Sequence, residues 1–593
     1  MERCTTLNIG SPSFLHMEYT SRPVVMGTNG MVTSSHYLAS ETGHHALKRG
    51  GNVVDAAVSM WFVLALTKPD LIGIAGEVPI LLYLSDEEKV LAINGSGPAP
   101  LGASVEWFKN NGYDLIPEDG FTCAVVPGAF DAWITALDLF GTFSLTECLE
   151  SGLRIASEGY PIQQTMVRSI KASEERFRRE WPSTAAIYLP NGKAPEVGQI
   201  VTNPDWARTF KEIVEIEQNE RRYGRSTALV AARDYFYRGP IAKKIIDFMD
   251  TFKCKDVYGK ENKGLMSLDD FDRYHSSIED PITSNYRGYD VYKCGPWTQG
   301  PVQLELYNLL EGFDLKSMGH NSVEYIHTWT ECAKLAFADR EYYYGDPDFV
   351  EVPLTMLLSK TYADERRELV DADKASMLLR PGNAEPMELT PTTRRGLFEG
   401  DTVHLEVIDP TGNMISATPS GGWIRTSPLV SGLGFPMGTR AQQFNLHSSH
   451  PNCIEPGKKP RITLSPSLVM KEGKPYMVYG TPGGDGQDQW TSQFFLNYVD
   501  FGMDVQLSLD KPTVHTNHFP GSFWPKMVRP GELRLESPIP NEVAEGLGKK
   551  GHNVVMDGPW THGRCLAIRY DQKTGVKYGG ASPRTGDSYA IGW

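Results

Sequence analysis

Residues 402–418 read TVHLEVIDPTGNMISAT. Residues 402–409 largely alternate between apolar and polar side chains, which is the two-residue period of a β-strand. Pro410-Thr411-Gly412 is typical of a turn, and residues 413–418 return as a second strand. The pattern therefore predicts a β-hairpin that begins with a threonine.

The segment before this hairpin, residues 371–401, has no regular pattern. It contains RPGNAEP (380–386) and TPTTRR (390–395), which hold little that could pack against a core. We therefore predict a flexible segment, which would ordinarily be a linker between domains. It is unusual for a predicted strand to begin directly where a flexible linker ends.

A second hairpin is predicted later in the chain, with strands at 467–470 and 475–479 around the turn KEGK. It ends in GTPGG (480–484), and a helix follows from about residue 486 to residue 498, with Trp490, Phe494 and Tyr498 on one face. Strands and helices mix here without a regular βαβ rhythm, which favours a layered α+β architecture.

The remaining chain supplies further helices and strands but no internal repeat. The helix at 52–67 is apolar nearly all round, which predicts that it is buried. The other predicted elements are helices at 38–48 and across most of 127–175 and 300–365, and strands at 79–83, 90–93 and 286–292.

Composition excludes some classes of partner. The 593 residues carry 58 basic and 73 acidic side chains, a formal charge of -15. A surface that binds phosphates needs a basic excess, so this balance argues against nucleic acid or an anionic membrane as the main partner. The N-terminus has no apolar segment of signal-peptide type, and no apolar run is long enough to span a bilayer. We therefore expect a cytoplasmic protein.

Common cofactor and metal motifs are missing. The sequence has no P-loop, no H-E-x-x-H, no EF-hand loop and no G-x-S-x-G. Its fourteen histidines show no metal-ligand spacing, and its eight cysteines are scattered, as expected for reduced thiols. We expect neither a metal nor a cofactor.

Thr402 is the first candidate for chemistry. A threonine hydroxyl is a weak nucleophile unless a base takes its proton, and a free α-amino group on the same residue can do so. That amine has a pKa near neutrality, and it exists only after the Asp401–Thr402 peptide bond is cut. Threonine also favours strands for purely structural reasons, so this residue alone leaves both interpretations open.

Gly483 and Gly484 form the second candidate. Two glycines between a strand and a helix N-terminus can expose backbone N–H groups that stabilise the negative charge of a tetrahedral intermediate. The alternative is a tight turn that needs glycine for steric reasons.

Taken together, these segments resemble the γ-glutamyltranspeptidase (glutathione hydrolase) family of N-terminal nucleophile hydrolases, from about residue 32 to the C-terminus. The resemblance depends on the order and spacing of several short motifs. They are GGNVVDAA (50–57), VPG (126–128), FYRG (236–239), ADR (338–340), GDPDFV (345–350), TVH (402–404), SP (465–466) and TPGG (481–484).

The resemblance implies an αββα four-layer sandwich and autocatalytic cleavage through an N→O acyl shift. The large subunit would be residues 1–401, including the N-terminal tail and the pre-cleavage segment 371–401, and the small subunit residues 402–593. Both would remain one folded unit, and a homodimer of that unit is compatible with the family. Thr402 would be nucleophile and base, Gly483 and Gly484 the oxyanion donors, and Ser420 a support for the nucleophile.

The chain departs from the family in the region that recognises the substrate. Ser96 stands where glutathione-processing members have an arginine that holds the α-carboxylate. Gln442 stands where they have an aspartate that meets the α-ammonium, and Thr463 belongs to Ile462-Thr463, which replaces a paired-serine motif. Losing two charge-assisted contacts would cost roughly 1.5–3 kcal/mol each. Arg440 or Arg461 could supply a replacement carboxylate anchor, and a structural role for either arginine is an equal alternative.

These departures leave three functional hypotheses. The chain looks more like a divergent branch of the family that includes oxamate amidohydrolase, on the basis of NGSGPAP (94–100), the stretch 450–469 and TPGGDGQ (481–487). The leading hypothesis is therefore hydrolysis of a small amide, γ-glutamyl-like or oxamate-like, through a threonyl acyl-enzyme. The second is genuine γ-glutamyl transfer or glutathione hydrolysis. The third is a non-catalytic binding or scaffold protein, which Glu77-Val78 in place of a usually glycine-rich run keeps open.

Overall fold

Two large antiparallel sheets form the centre of the molecule. The computed structural model describes residues 20–396, 401–584 and 586–593. Within these residues the strands are β1 Val25–Gly27, β2 Met31–Ser34, β3 Val78–Leu84, β4 Lys89–Gly95, β5 Tyr160–Pro161, β6 Ile200–Val201, β7 Cys254–Lys255, β8 Glu261–Asn262, β9 Ser277–Glu279, β10 Ile282–Tyr286, β11 Tyr289–Lys293, β12 Leu378–Leu379, β13 Met387–Glu388, β14 Leu405–Ile408, β15 Met414–Ala417, β16 Ser467–Lys471, β17 Lys474–Gly480, β18 Val514–Thr516, β19 Glu532–Glu536, β20 Asn553–Asp557, β21 Leu566–Tyr570, β22 Lys577–Ala581 and β23 Tyr589–Gly592.

Helices cover the outer faces of both sheets. The described α-helices are α1 Tyr37–Lys48, α2 Val53–Thr67, α3 Val105–Asn110, α4 Ala129–Phe140, α5 Leu145–Glu158, α6 Gln164–Glu180, α7 Pro182–Tyr188, α8 Pro204–Glu220, α9 Arg225–Tyr237, α10 Pro240–Thr251, α11 Leu268–Arg273, α12 Pro301–Leu310, α13 Leu315–Met318, α14 Val323–Tyr343, α15 Leu354–Leu357, α16 Lys360–Arg367, α17 Gln487–Val499, α18 Val505–Asp510 and α19 Asn541–Lys549.

The strand orders place the two candidate segments in different sheets. Sheet 1 has the order β23-β2-β14-β15-β3-β4-β9 and contains the hairpin that follows Thr402. Sheet 2 has the order β1-β22-β21-β17-β16-β11-β10, and its strand β17 leads into Gly483. Every neighbouring pair in both sheets is antiparallel.

Three hydrophobic cores show that these elements form four layers. One core lies between the sheets and joins side chains such as Leu81 of sheet 1 to Val478 of sheet 2. A second joins sheet 1 to helices that include α2, and a third joins sheet 2 to helices that include α12, α14 and α17. The predicted αββα sandwich is therefore confirmed.

Helix α2 illustrates how local sequence and packing agree. Asn52 caps its first turn and Asp55 completes a reciprocal capping box, which satisfies two backbone donors at the helix start. All fifteen residues of α2 are buried, as predicted from an apolar composition without a polar face. Burial of α2 against sheet 1 stabilises the fold by roughly 25 cal/mol for each Å² of apolar surface removed from water.

Both predicted hairpins are present, with one difference at Thr402. Strand β14 pairs with β15 in the register Leu405↔Ala417, so the regular ladder starts three residues after Thr402. Thr402 itself forms an isolated bridge with Ser420. The nucleophile candidate therefore lies before the first residue of β14, and its side chain is buried.

Two sequence predictions need correction. Residues 286–292 do not form one strand, because Arg287 and Gly288 take φ values of 50° and 86° and turn the chain between β10 and β11. The segment before Thr402 also contains more regular structure than predicted, since β12 and β13 form a short hairpin in which Leu379 is buried.

Within the described part of the chain, no helix has the length and apolar character needed to cross a membrane.

Candidate functional site

The peptide bond between Asp401 and Thr402 is held by side chains that follow it in the chain. Thr402 is 1% exposed, and its Oγ1 donates a hydrogen bond of 3.1 Å to Oγ of Ser420. Oγ of Ser420 in turn donates to the carbonyl oxygen of Asp401 at 2.9 Å. One serine hydroxyl therefore contacts both the nucleophile candidate and the carbonyl that it would attack.

A second donor meets the same carbonyl. Nε1 of Trp423 donates to the carbonyl oxygen of Asp401 at 2.8 Å and also to that of Leu71 at 2.7 Å. Two donors on one carbonyl oxygen stabilise the charge that develops there when a nucleophile adds to the carbon. Ser420 and Trp423 thus have the geometry of an oxyanion hole for cleavage of the chain itself.

Ser420 is positioned by a buried ion pair. Nη2 of Arg440 donates to Oγ of Ser420 at 2.6 Å, and Nε of Arg440 donates to Oε1 of Glu77 at 2.5 Å. The guanidinium lies 4.8 Å from the ring centre of Trp423 and 5.6 Å from that of Phe523. Burial raises the pKa of Glu77, and the charge of Arg440 acts in the opposite direction. Glu77 therefore helps to hold Ser420 through Arg440.

Removing Glu77 should destabilise the protein strongly. Glu77→Ala leaves the buried Arg440 without its acidic partner, which typically costs about 3–5 kcal/mol of unfolding free energy. Urea unfolding of the purified variant measures this loss, and intact mass reports any slower cleavage. Asp269→Ala is the control, because its ion pair with Arg273 is exposed to solvent and contributes little to stability. Equal losses in the two variants would contradict the assignment.

Gly483 and Gly484 face a cavity that also contains Asp401. The cavity holds about 640 Å³, and its wall includes Trp490 and Arg564. Both glycines have positive φ values, 125° and 52°. Among the described residues, no acceptor bonds to either backbone N–H. Both N–H groups are thus without a bonding partner among the described residues, a condition that an oxyanion donor must meet.

Trp490 explains why this loop must be rich in glycine. A Cβ atom built on Gly483 would lie 2.2 Å from Cζ3 of Trp490, and one on Gly486 would lie 2.4 Å from Cη2. A Cβ atom built on Gly563 would lie 2.6 Å from Cε3 of the same tryptophan. The Trp490 ring therefore requires glycine at position 483 for steric reasons, and this requirement does not exclude a role of the Gly483 N–H as an oxyanion donor.

The predicted substrate-binding residues lie outside the wall of this cavity. Ser96 and Thr463 are buried, and no described residue bonds to their hydroxyl oxygens. Gln442 donates to the carbonyl of Glu118 at 3.1 Å. Arg461 is 2% exposed and donates to Oε1 of Glu341 at 2.8 Å. Substrate roles for these residues and for Arg440 stay predictions, and the contacts of both arginines favour structural roles.

Two residues near Asp401, Trp423 and Arg564, are not predicted from the sequence. Trp423 lies in a stretch without a recognisable motif, so only its proximity to Asp401 marks it. Arg564 forms an ion pair with the side chain of Asp401, 163 positions earlier in the chain. No spacing rule links residues so far apart.

A buried polar network lies behind the nucleophile candidate. Nε2 of His404 lies 3.1 Å from Oε1 of Glu406, and Nδ1 lies 2.9 Å from Oγ1 of Thr418. Burial, with repulsion from Lys293, lowers the pKa of His404 to about 3. Burial also raises the pKa of Glu406 well above its ordinary value. Burial therefore favours the neutral form of both side chains.

The raised pKa of Glu406 predicts a pH-dependent difference in stability. Above about pH 4.5 the unfolded chain releases this proton while the folded chain keeps it, so the stability that Glu406 contributes is lost as pH rises. Glu406→Gln removes this loss. We therefore expect the thermal midpoint of the variant, relative to that of the wild type, to increase between pH 4.5 and pH 8. Calorimetry at both pH values measures the gain. The exposed substitution Glu365→Gln should show no such trend, and a constant difference for Glu406→Gln would refute the assignment.

One group of side chains could offer ligands to a metal. His327, Glu331 and His552 bring potential ligand atoms within 4.8 Å of one another, which the sequence did not predict because His552 is distant in the chain. Most of their polar atoms already have protein partners, and Nδ1 of His552 is the one that no described residue bonds. Nδ1 of His327 lies 2.8 Å from Nε2 of His552, and Glu331 pairs with Lys334 at 2.6 Å. The nearby lysine disfavours a cation at this point.

Matches to known proteins extend over nearly the whole chain. The model of the family described as gamma-glutamyltranspeptidase matches residues 39–592. The glutathione hydrolase-like YwrD proenzyme of Bacillus subtilis (strain 168) is 32% identical over 572 residues, covering 96% of this chain and 99% of the relative. The solved structure of LmbA2991HD is 40% identical with a TM-score of 0.92, covering 97% of this chain and 100% of that chain. The crystal structure of cephalosporin acylase from Bacillus halodurans is 30% identical with a TM-score of 0.83, covering 100% and 99%. The chain belongs to the gamma-glutamyltranspeptidase family of N-terminal nucleophile hydrolases.

Proposed function

We propose that the chain cuts itself between Asp401 and Thr402 and then hydrolyses a small amide through an ester on Thr402. One observation carries the proposal: Oγ1 of Thr402 is bonded to Oγ of Ser420, which is itself bonded to the carbonyl oxygen of Asp401. That chain of hydrogen bonds aligns a nucleophile with the carbonyl of the peptide bond before it.

In the maturation step, Oγ1 of Thr402 adds to the carbonyl carbon of Asp401 while Ser420 and Trp423 hold the carbonyl oxygen. The C–N bond then breaks, the nitrogen takes up a proton, and an ester joins Asp401 to Thr402. Water hydrolyses the ester and leaves a carboxylate on Asp401 and a free hydroxyl on Thr402. The products are residues 1–401 and 402–593, which stay together because both contribute strands to sheet 1 and to sheet 2.

In turnover, the new α-amine of Thr402 accepts the hydroxyl proton as Oγ1 adds to the substrate carbonyl. The N–H groups of Gly483 and Gly484 are the donors for the developing oxyanion. The amine product leaves with a proton, and water then cleaves the acyl ester. In balance, one amide and one water give one carboxylate and one amine.

The substrate that fits best is a small amide other than glutathione. Neutral Ser96 and Gln442 stand where glutathione-processing members have charged anchors, and neither lines the cavity. The relatives include an acylase, so processing of non-glutamyl amides has precedent within the family. An oxamate-like amide is a narrower choice within this proposal, based on the segments 94–100 and 481–487.

Two measurements test the proposal. Intact mass of freshly purified protein should give two chains, the smaller beginning at Thr402. A panel of small amides should then include oxamate, succinamate and γ-glutamyl-p-nitroanilide, the last with and without an acceptor dipeptide. Preference for γ-glutamyl transfer would favour the second hypothesis. A stable uncut chain without activity on any amide would favour a non-catalytic role.

A further inference from the structure

We propose that Arg564 binds a carboxylate on the acyl half of the substrate, and that the side chain of Asp401 occupies this position until the chain is cut. The inference rests on the proposed function, since it names the class of amide that the matured cavity would accept. That class is the monoamides of short dicarboxylic acids, with succinyl amides as the nearest match.

The first observation is the contact itself. The guanidinium of Arg564 pairs with Oδ2 of Asp401, and Oδ1 of the same carboxylate accepts the backbone N–H of Thr402 at 2.8 Å. The side chains of Arg564 and Asp401 are 16% and 25% exposed, so the pair is largely shielded from water. Both residues line the cavity that contains Gly483 and Gly484. A carboxylate is thus already bound beside the candidate oxyanion donors.

The second observation is the charge balance of the cavity wall. Arg534 pairs with Asp557, with 2.9 Å between Nε and Oδ2, and Arg529 lies 3.6 Å from Glu532. Asp485 pairs with Arg340. Among the described residues, the acid that pairs with Arg564 is Asp401. Cleavage detaches Asp401 from Thr402, so Arg564 is the arginine of this wall whose partner can leave.

The third observation is the shape of the group that Arg564 holds. In the maturation ester, Asp401 is the acyl group on Thr402, and two carbons separate its ester carbonyl from its side-chain carboxylate. A succinyl group has the same spacing between carbonyl and carboxylate. When its carbonyl turns toward Gly483 and Gly484, the flexible side chain of Arg564 can follow the carboxylate.

Paired anilides test the inference by kinetics. N-succinyl-p-nitroanilide carries the carboxylate, and N-butyryl-p-nitroanilide is its neutral analogue of similar length. We expect Arg564→Gln to lower kcat/KM for the succinyl substrate by about 10- to 100-fold, the range for a charge-assisted contact, and to leave the butyryl substrate within about twofold. Arg564→Lys should retain part of the preference. Arg529→Gln removes the same charge from the same wall and should preserve it.

Rates are expressed per mole of chain that begins with Thr402, quantified by mass, so that slower maturation of a variant does not appear as lost recognition. Equal losses for both anilides, or no loss in Arg564→Gln, would overturn the inference. If the wild type hydrolyses the butyryl compound without this charge dependence, the proposed amidohydrolase function survives and only the role of Arg564 fails.

Binding of succinate provides an arm that needs no turnover. Calorimetric titration should show succinate binding to the matured wild type, at least about tenfold weaker binding to Arg564→Gln, and similarly weak binding to uncut Thr402→Ala, where Asp401 still covers Arg564. Equal binding to all three proteins would refute the anchor even if no anilide were hydrolysed. Absence of a chain beginning at Thr402 would instead refute the proposed function.

Discussion

Thr402→Ala should yield one uncut chain of 66.0 kDa and lower amide hydrolysis by about 10⁴-fold or more. The substitution removes Oγ1, which attacks the carbonyl of Asp401 in maturation and the substrate carbonyl in turnover. In the uncut chain Asp401 still covers Arg564, so we expect only weak binding in the cavity and no chemistry. Denaturing gels and intact mass measure the first outcome, and a p-nitroanilide assay measures the second.

Thr402→Ser is the matched control, because it keeps the oxygen and loses only the methyl group. We expect it to mature and to retain activity within about 100-fold of the wild type, since the methyl group restricts the hydroxyl rotamer without reacting. Cleavage before residue 402 in the alanine variant would contradict the mechanism. An alanine variant that stays uncut but hydrolyses amides at the wild-type rate would contradict it equally.

The parts of the fold that the sequence could predict are those governed by short-range periodicity. The hairpin β16–β17 and the buried helix α2 have patterns that repeat within one element, so local composition determines them. The hairpin after Thr402 was predicted for the same reason. The error at residues 286–292 also has a local cause, because tyrosine and valine favour strands on both sides of Arg287-Gly288 and obscure the turn between them.

The candidate site was less predictable because its contacts join distant parts of the chain. Glu77 and Arg440 lie 363 positions apart. The sequence alone offers Glu77 as support for a non-catalytic protein, whereas its contact with Arg440 gives it a positioning role. Trp423 meets Asp401 only because the isolated bridge between Thr402 and Ser420 brings the two segments together. Ion pairs of this kind leave no periodic trace in a sequence.

Gly483→Ala should separate maturation from turnover. The added Cβ would lie 2.2 Å from Cζ3 of Trp490, and a φ of 125° is strained for alanine, so the loop must shift and misalign the N–H groups of Gly483 and Gly484. Loss of one oxyanion donor typically lowers kcat by about 10²- to 10³-fold. Maturation should continue, because Ser420 and Trp423 hold the carbonyl of Asp401. Intact mass and kcat for one anilide measure the two effects.

A glycine elsewhere provides the comparison for backbone strain. Gly473 has a φ of 71° in the turn between β16 and β17, with no atom within 4 Å of a built Cβ. Gly473→Ala should therefore cost about 1–2 kcal/mol of stability and leave both maturation and kcat unchanged. If Gly483→Ala blocked cleavage as strongly as turnover, the two reactions would share one oxyanion hole. If it lost only kcat, the precursor stabilises its own carbonyl with Ser420 and Trp423, and the matured enzyme uses the glycine pair for its substrate.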